Sequence, residues 1–298
     1  MSYAKPSATS NLLLITAACI WGFAFVAQKQ GSELLDVFTF NAIRFGLGTL
    51  VLLPLVFWIR KKEGVQNMNL LWKAGIVCGV YLFGGAYFQQ LGVSFTTAGN
   101  AGFITGLYVL IVPAAGLFIG KSSGLSLWLG AILAVVGLYL LSVKEGFQIS
   151  KGDIFVLLGA FVWAGHVLAV SHYAPKLNAF LLASVQFGVC SVLSIFGMLL
   201  FESPSLSNIT QSNIPLLYCG ILSVGGAFTL QVIAQKKVHP AIASILLSLE
   251  SVFAALGGWW ILNEKMSLKE LLGCAIMLAG IIVAQLNIPT FKTQKLLL

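Results

Sequence analysis

Charge is what this sequence lacks most. Only 9% of its 298 residues are Asp, Glu, Lys or Arg, whereas 58% are hydrophobic. A soluble domain is about one quarter charged, because a surface in contact with water needs charge to stay solvated. A chain of this length and composition cannot cover a water-facing globule, and its mean hydropathy of +0.96 points the same way. Residues for metal and nucleophile chemistry are scarce too, with three histidines and five cysteines. Cys19, Cys78, Cys190, Cys219 and Cys274 each fall inside an apolar run. None forms a CxxC or a Cys/His pair with metal spacing, so they read as small buried hydrophobes. There is no HExxH, no P-loop and no G-x-S-x-G. The missing P-loop argues against a self-powered ATP pump. No cofactor, no metal site and no enzymatic activity is expected.

Apolar runs are what the sequence has instead. A membrane helix needs about 20 apolar residues to cross a hydrocarbon core of about 30 Å. Ten such runs fill the chain, at about 11–28, 37–59, 70–92, 98–119, 125–143, 152–171, 179–201, 213–234, 241–262 and 268–288. The faint lipoprotein-like stretch Thr16-Ala17-Ala18-Cys19 has only Lys5 ahead of it, so the first run reads as an uncleaved helix. The formal net charge of +8 would suggest nucleic acid in a soluble protein. Here the basic residues occupy short loops and not an aromatic-studded helix face, so membrane orientation explains them and nucleic acid is not an expected partner. With the N-terminus in the cytoplasm, that side holds eleven basic residues: Lys5, Arg60, Lys61, Lys62, Lys73, Lys121, Lys176, Lys236, Lys237, Lys292 and Lys295. The other side holds five, Lys29, Lys144, Lys151, Lys265 and Lys269. This predicts both termini in the cytoplasm.

The chain also repeats itself. At an offset of 142 residues Trp21 meets Trp163, Phe45-Gly46 meets Phe187-Gly188, Gly84 meets Gly226, Gln89 meets Gln231, Ala101 meets Ala243 and Gly116 meets Gly258. A one-residue slip then aligns Gly130 with Gly273 and Gly137 with Gly280. Five helices per copy is an odd number, so the second copy enters the membrane upside down. The fold expected is all-α: ten transmembrane helices as two inverted five-helix repeats, 11–143 and 152–288, in one membrane domain with a substrate site at the midplane between them.

Ionisable and polar groups within the runs are the candidates for function. Glu250, near the middle of the ninth run, could carry a proton, pair with a substrate ammonium, or serve as a structural carboxylate. Its repeat counterpart is Tyr108, so a proton site would belong to one half only. Arg44 could bind a substrate carboxylate bidentately, snorkel outward, or hold the bundle together, in one version by pairing with Glu250. Its counterpart is Gln186. His166 could relay protons or be a packing residue. Gln89, Gln231 and Asn100 could line a cavity or bond between helices. Trp21, Trp163, Trp259 and Trp260 could stack on a ligand, or anchor at the lipid interface, as suits the last pair best. Gly102-x-x-x-Gly106 and Ser244-x-x-x-Ser248 read as packing motifs within the chain or in a homodimer. Pro113, Gly84, Gly85, Gly225 and Gly226 could bend helices.

The stretch Ile20-Trp21-Gly22-Phe23-Ala24-Phe25-Val26-Ala27-Gln28-Lys29 resembles the first helix of EamA-type members of the drug/metabolite transporter superfamily. So does Arg44-Phe45 after Phe38-Thr39-Phe40-Asn41. In the second half, Leu249-Glu250-Ser251-Val252-Phe253-Ala254-Ala255, Asn263-Glu264-Lys265 and Leu272 to Gly280 are similar to the family's closing pattern. The resemblance implies a central cavity, a bacterial inner-membrane location and transport of amino acids, amines, carboxylates, sugars or drugs, often as export. It also places Glu250 at a position that is often acidic across members with different substrates, with proline frequent where Ser251 stands. The function expected is a secondary transporter of small organic metabolites by alternating access, in one version proton-coupled export. A lipid or amphiphile translocase and a membrane-embedded acid–base enzyme are the alternatives. The expected partners are a small-molecule substrate, the bilayer and, in the coupled version, H+.

Overall fold

A computed structural model of the chain describes residues 8–63, 67–118, 124–142, 150–261 and 267–286. Lys5, Lys121, Lys144, Lys265, Lys292 and Lys295 of the orientation tally lie outside them, as does Asn263-Glu264-Lys265. In the first half the helices are α1 (Ala8–Gly31), α2 (Val37–Glu63), α3 (Met68–Phe95), α4 (Ala98–Gly106), α5 (Tyr108–Phe118) and α6 (Leu125–Ser142). The second half has α7 (Lys151–Tyr173), α8 (Ala179–Phe201), α9 (Leu206–Gln211), α10 (Asn213–Leu217), a π-helical segment Tyr218–Phe228, α11 (Thr229–Gln235), α12 (Pro240–Leu247), α13 (Glu250–Ile261) and α14 (Leu268–Gln285). Local chemistry starts many of them. Asn67 caps α3, Thr97 caps α4 and Asn178 caps α8, while Ser150 with Asp153 and Ser267 with Glu270 form capping boxes at α7 and α14.

Among the described residues, nine stretches are long and apolar enough to cross a membrane. The tenth apolar helix, Leu125–Leu140, is shorter. The whole of α6 has 18 residues, which at 1.5 Å per residue gives about 27 Å, close to the core thickness. The ten expected spans are therefore present, but three are not plain α-helices. The fourth breaks at Leu107 between α4 and α5, and the ninth breaks at Ser248-Leu249 between α12 and α13. The eighth runs through α10, the π segment and α11. Large apolar side chains cover the outside; Leu199, Leu200 and Phe201 are 71%, 73% and 76% exposed. Such a belt is stable against lipid and not against water.

The packing has the two-fold pattern that inverted copies require. The first span packs on the eighth as the sixth packs on the third. The second meets the eighth as the seventh meets the third, and the first meets the ninth as the sixth meets the fourth. Second with seventh, fourth with ninth and fifth with tenth are their own images. Where α6 crosses α14, the backbones nearly touch. A Cβ on Gly137 would lie 2.6 Å from Gly273 O, and one on Gly130 would lie 2.6 Å from Gly280 O.

Polar latches join the helix ends. Lys29 Nζ, at the end of α1, donates to Val93 O (3.0 Å) and Thr96 O (3.1 Å) at the end of α3. The counterparts of Lys29 and Val93 are Ser171 and Gln235. These two also meet, with Gln235 Nε2 donating to Ser171 Oγ at 3.0 Å and to Val167 O at 3.2 Å. In inverted copies, equivalent contacts lie on opposite membrane faces. Two more latches have no equivalent. Thr96 Oγ1 donates to Asp153 Oδ1 at 2.6 Å. Glu202, just past α8, accepts from Phe38 N, Thr39 N and Thr39 Oγ1 at 2.7–2.8 Å, closing the N-terminus of α2.

Candidate functional site

A cavity lies between the halves. Its walls include Trp21, Phe25 and Gln28 of α1, Arg44 of α2, Gln89 of α3, Thr105 and Tyr108 at the fourth-span break, Trp163 and Val167 of α7, Ser223, Phe228 and Gln231 of the eighth span, and Leu247 and Glu250 at the ninth-span break. The empty volume is about 490 Å³, of which about 40 Å³ is open to the centres of water-sized molecules. That is room for two or three waters, so the space as it stands does not hold a metabolite.

The two breaks organise the site. Leu107 and Leu249 occupy equivalent positions in the two copies. At each, tight i→i−3 bonds replace the α pattern: Leu107 N to Ile104 O and Leu110 N to Leu107 O in one copy, Leu249 N to Leu246 O and Ser251 N to Ser248 O in the other. The next residue opens a new helix, and those residues are Tyr108 and Glu250. The repeat counterparts thus face each other across the pseudo-two-fold axis, near enough to interact electrostatically. They lie within reach of each other's hydrogen-bonding groups, but the bond is poorly aligned, and the buried Tyr108 OH and Glu250 Oε1 have no partner of good geometry. Discontinuous helices whose half-helix ends point into a midplane cavity are a recurring way to build a transport site. Gly22 lets α1 in: a Cβ there would lie 2.7 Å from Glu250 O. Ser251 Oγ donates to Gly102 O at 2.8 Å and ties α13 to α4. Gly102 and Ser251 therefore join the halves inside one chain, while Ser244 and Ser248 bond back to carbonyls of their own helix.

Aromatic rings form the rest of the wall. Phe228 stacks at 20° on Trp163, 5.7 Å between centroids, and lies 4.5 Å from Trp21. Trp163 Nε1 donates to Gln89 Oε1 (2.9 Å) and Gln89 Nε2 to Gln28 Oε1 (3.1 Å), a chain that fixes α7, α3 and α1 together. Trp21 Nε1 reaches Ser223 O at 3.4 Å, a carbonyl of the π segment. Single π-bulges are common at functional sites; this one spans 11 residues and carries both Ser223 and Phe228 to the wall.

Arg44 is buried, with its Nε donating to Asn41 Oδ1 (2.9 Å) and its guanidinium 5.4 Å and 5.0 Å from the centroids of Phe40 and Phe45. Cys219 and Cys190 are its other polar neighbours. Among the described residues it makes no ion pair with Glu250, so the pairing weighed from the sequence is not formed here.

Of the ten sequence-predicted residues, Glu250, Arg44, Tyr108, Trp21, Trp163, Gln89 and Gln231 line this one cavity. His166 and Gln186 sit behind the wall, where His166 Nε2 and Gln186 Oε1 are 3.0 Å apart and the imidazole packs edge-on against Trp163 and Phe228. Asn100 is elsewhere, in the first turn of α4 beside the cap Thr97. Trp259 and Trp260 are 54% and 73% exposed, outside the cavity. Sequence reasoning missed Gln28, Thr105, Ser223 and Phe228 as wall residues. Gln28 and Thr105 carried a usable signal as polar residues inside apolar runs. Phe228 carried none.

The comparisons agree with this architecture. The model of the EamA-like transporter family matches the chain twice, over residues 8–143 and 150–285. An uncharacterized transporter of Archaeoglobus fulgidus is 31% identical over 94% of this chain and 86% of its own length. The uncharacterized transporter YoaV of Bacillus subtilis is 25% identical over 95% of this chain and 97% of its own. A crystal structure of a protein with 21% identity superposes with a TM-score of 0.76, covering 92% of this chain and 96% of that one, which shows the shared fold. With two matched repeats, ten spans and relatives named as transporters, the chain is a multi-pass membrane protein that belongs to the EamA-like transporter family of the drug/metabolite transporter superfamily.

Proposed function

We propose that the protein is a secondary carrier that moves a small organic metabolite across the inner membrane by alternating access, with both termini in the cytoplasm and Glu250 as the site that couples flux to protons. One observation carries the reading. Glu250 and Tyr108, equivalent residues of inverted copies, meet at the heads of two broken helices inside the cavity between the halves. A group on the axis is reached from one face when one half opens and from the other when its counterpart opens, which is what a coupling site needs.

The cavity's chemistry favours a substrate with both charges. Among the described residues, Arg44 is a buried cation with no carboxylate partner, and Glu250 is a buried acid with no cationic partner. Buried charges are stable only when paired or well solvated by hydrogen bonds. An amino-acid-like zwitterion complements both, and its side chain has the faces of Trp21, Trp163 and Phe228 to lie against. The test uses proteoliposomes of the purified chain. Glu250→Gln is expected to retain a weaker stabilisation by bound substrate, held by Arg44 and the aromatic wall with the amide oxygen still accepting from the ammonium, yet to lose flux driven by a pH gradient. Full response to the pH gradient in that variant rules Glu250 out as the coupling site.

A further inference from the structure

A second opening lies between α2, α3 and α8, at the end of the molecule where α2 finishes and α3 begins. Its walls are apolar, from Leu53 and Val56 of α2, Leu71 of α3 and Val185 of α8, and Arg60 and Trp72 frame its mouth. About 180 Å³ of it is open to water-sized molecules, against about 40 Å³ in the central cavity. The inverted repeat assigns this groove an equivalent place at the other face, between the end of α8 and the start of α2. There the structure is sealed, because Glu202 accepts from Phe38 N, Thr39 N and Thr39 Oγ1.

The same seal cannot form at the groove. The residue equivalent to Glu202 is Arg60, and a helix N-terminus presents N–H donors and partial positive charge. A carboxylate docks there and a guanidinium does not. The N-terminus of α8 is closed by its own Asn178, whose Oδ1 accepts from Phe180 N at 3.0 Å. One difference between the copies therefore leaves a gap with a cation at its mouth. More basic residues surround it, since Lys61, Lys62 and Lys73 are all exposed at the same end. Trp58 and Trp72 are 57% and 52% exposed, and Lys62 Nζ lies 4.9 Å over the Trp58 ring. Exposed indoles gather at the headgroup level of a bilayer. The mouth is then at the depth of lipid phosphates, and the apolar walls run down among acyl chains.

We propose that this groove is a binding site for an anionic phospholipid, with the phosphate on the Arg60 guanidinium and an acyl chain along Leu53, Val56, Leu71 and Val185. The forked donors of guanidinium match phosphate oxygens, and basic pockets between membrane helices collect anionic headgroups. The site is separate from the central cavity and does not depend on what the carrier moves.

Native mass spectrometry of the full chain in detergent tests this, titrating phosphatidylglycerol, phosphatidylcholine with the same acyl chains, and inorganic phosphate. The first phosphatidylglycerol is expected to bind at least about fivefold tighter than phosphatidylcholine, the factor that one basic residue contributes near an anionic surface. Inorganic phosphate is expected not to bind, because it leaves the apolar walls uncovered; phosphate binding as tightly as the lipid overturns the lipid assignment. Arg60→Gln is expected to remove most of the headgroup preference, and the double variant Lys61→Gln/Lys62→Gln to keep most of it. Equal binding of the two lipids by the unaltered chain overturns the proposal. Equal loss in the two variants also overturns it, as that is diffuse surface attraction. Leu53→Trp fills the apolar wall and is expected to weaken the first binding event of both lipids. An Leu53→Trp chain with unchanged melting temperature and unchanged lipid binding removes the acyl seat.

Discussion

Ser251 follows Glu250 directly, and its hydroxyl reaches across to the other half to donate to Gly102 O. Where the family resemblance favours proline, this chain has a donor. Ser251→Ala leaves the space open and removes the bond. Interhelical hydrogen bonds in membrane proteins average about 0.6 kcal/mol, and the Gly102 carbonyl is left without that donor, so a loss of about 1 kcal/mol is expected in reversible denaturation. Gly137→Leu is expected to cost more, because even a Cβ there meets Gly273 O at 2.6 Å and Met277 N at 2.7 Å. Overpacking alone costs about 1–3 kcal/mol, and backbone cannot swing aside as a side chain can, so this variant should show the lower melting temperature of the two. At this scale the sequence was legible where polarity was conspicuous. Glu250, Arg44, Gln89 and Gln231 stood out from apolar neighbours and do line the cavity. Asn100 stood out equally and sits in the first turn of α4, because polarity does not distinguish a wall residue from one at a helix end. Phe228 was invisible, since nothing marks one phenylalanine among 21.

Helices one by one were harder to read than their number. Apolar runs located ten spans, yet none of them foretold the breaks at Leu107 and Leu249. Leucine is a strong helix former, and no proline lies at either break; Pro113 comes six residues after Leu107 and falls inside α5. The fourth and ninth spans pack against each other around these breaks, a non-local contact that local propensity does not record. The closure of α2 is also non-local, since its cap is Glu202 from beyond α8. Losing a capping side chain costs about 0.5–2 kcal/mol, and Glu202 holds two backbone donors and a hydroxyl. Glu202→Ala is therefore expected at the upper end of that range, with hydrogen exchange rising first in the opening turn of α2. Unchanged exchange there would mean that other contacts hold the turn.

Across the whole molecule, the offset of 142 residues carried most of the information. It anticipated two copies, and the pairing of spans follows it element by element. The latches that hold equivalent helix ends could not be read, because equivalent positions use unlike chemistry. Lys29 binds two carbonyls, whereas Gln235 binds a hydroxyl and a carbonyl. Because the latches sit on opposite faces, each can hold one side shut. Spin-label pairs across α1–α3 and across α7–α11 would report this. Lys29→Met is expected to lengthen only the first distance and Gln235→Leu only the second. If either variant moves both distances together, the two ends do not open independently.

The meeting of Tyr108 with Glu250 also fixes a count. Two unfused, identical copies would place the same residue on both sides of the axis, so an acid there would face an acid, and each turnover could take up zero, one or two protons. Fusing the copies and letting one side be a phenol leaves a single titrating carboxylate. In the proton-coupled carrier proposed above, Glu250 then limits the axis to at most one proton for each passage, whatever the cargo. Under that proposal, the electrical work of a cycle is set by the charge of the cargo plus at most one proton.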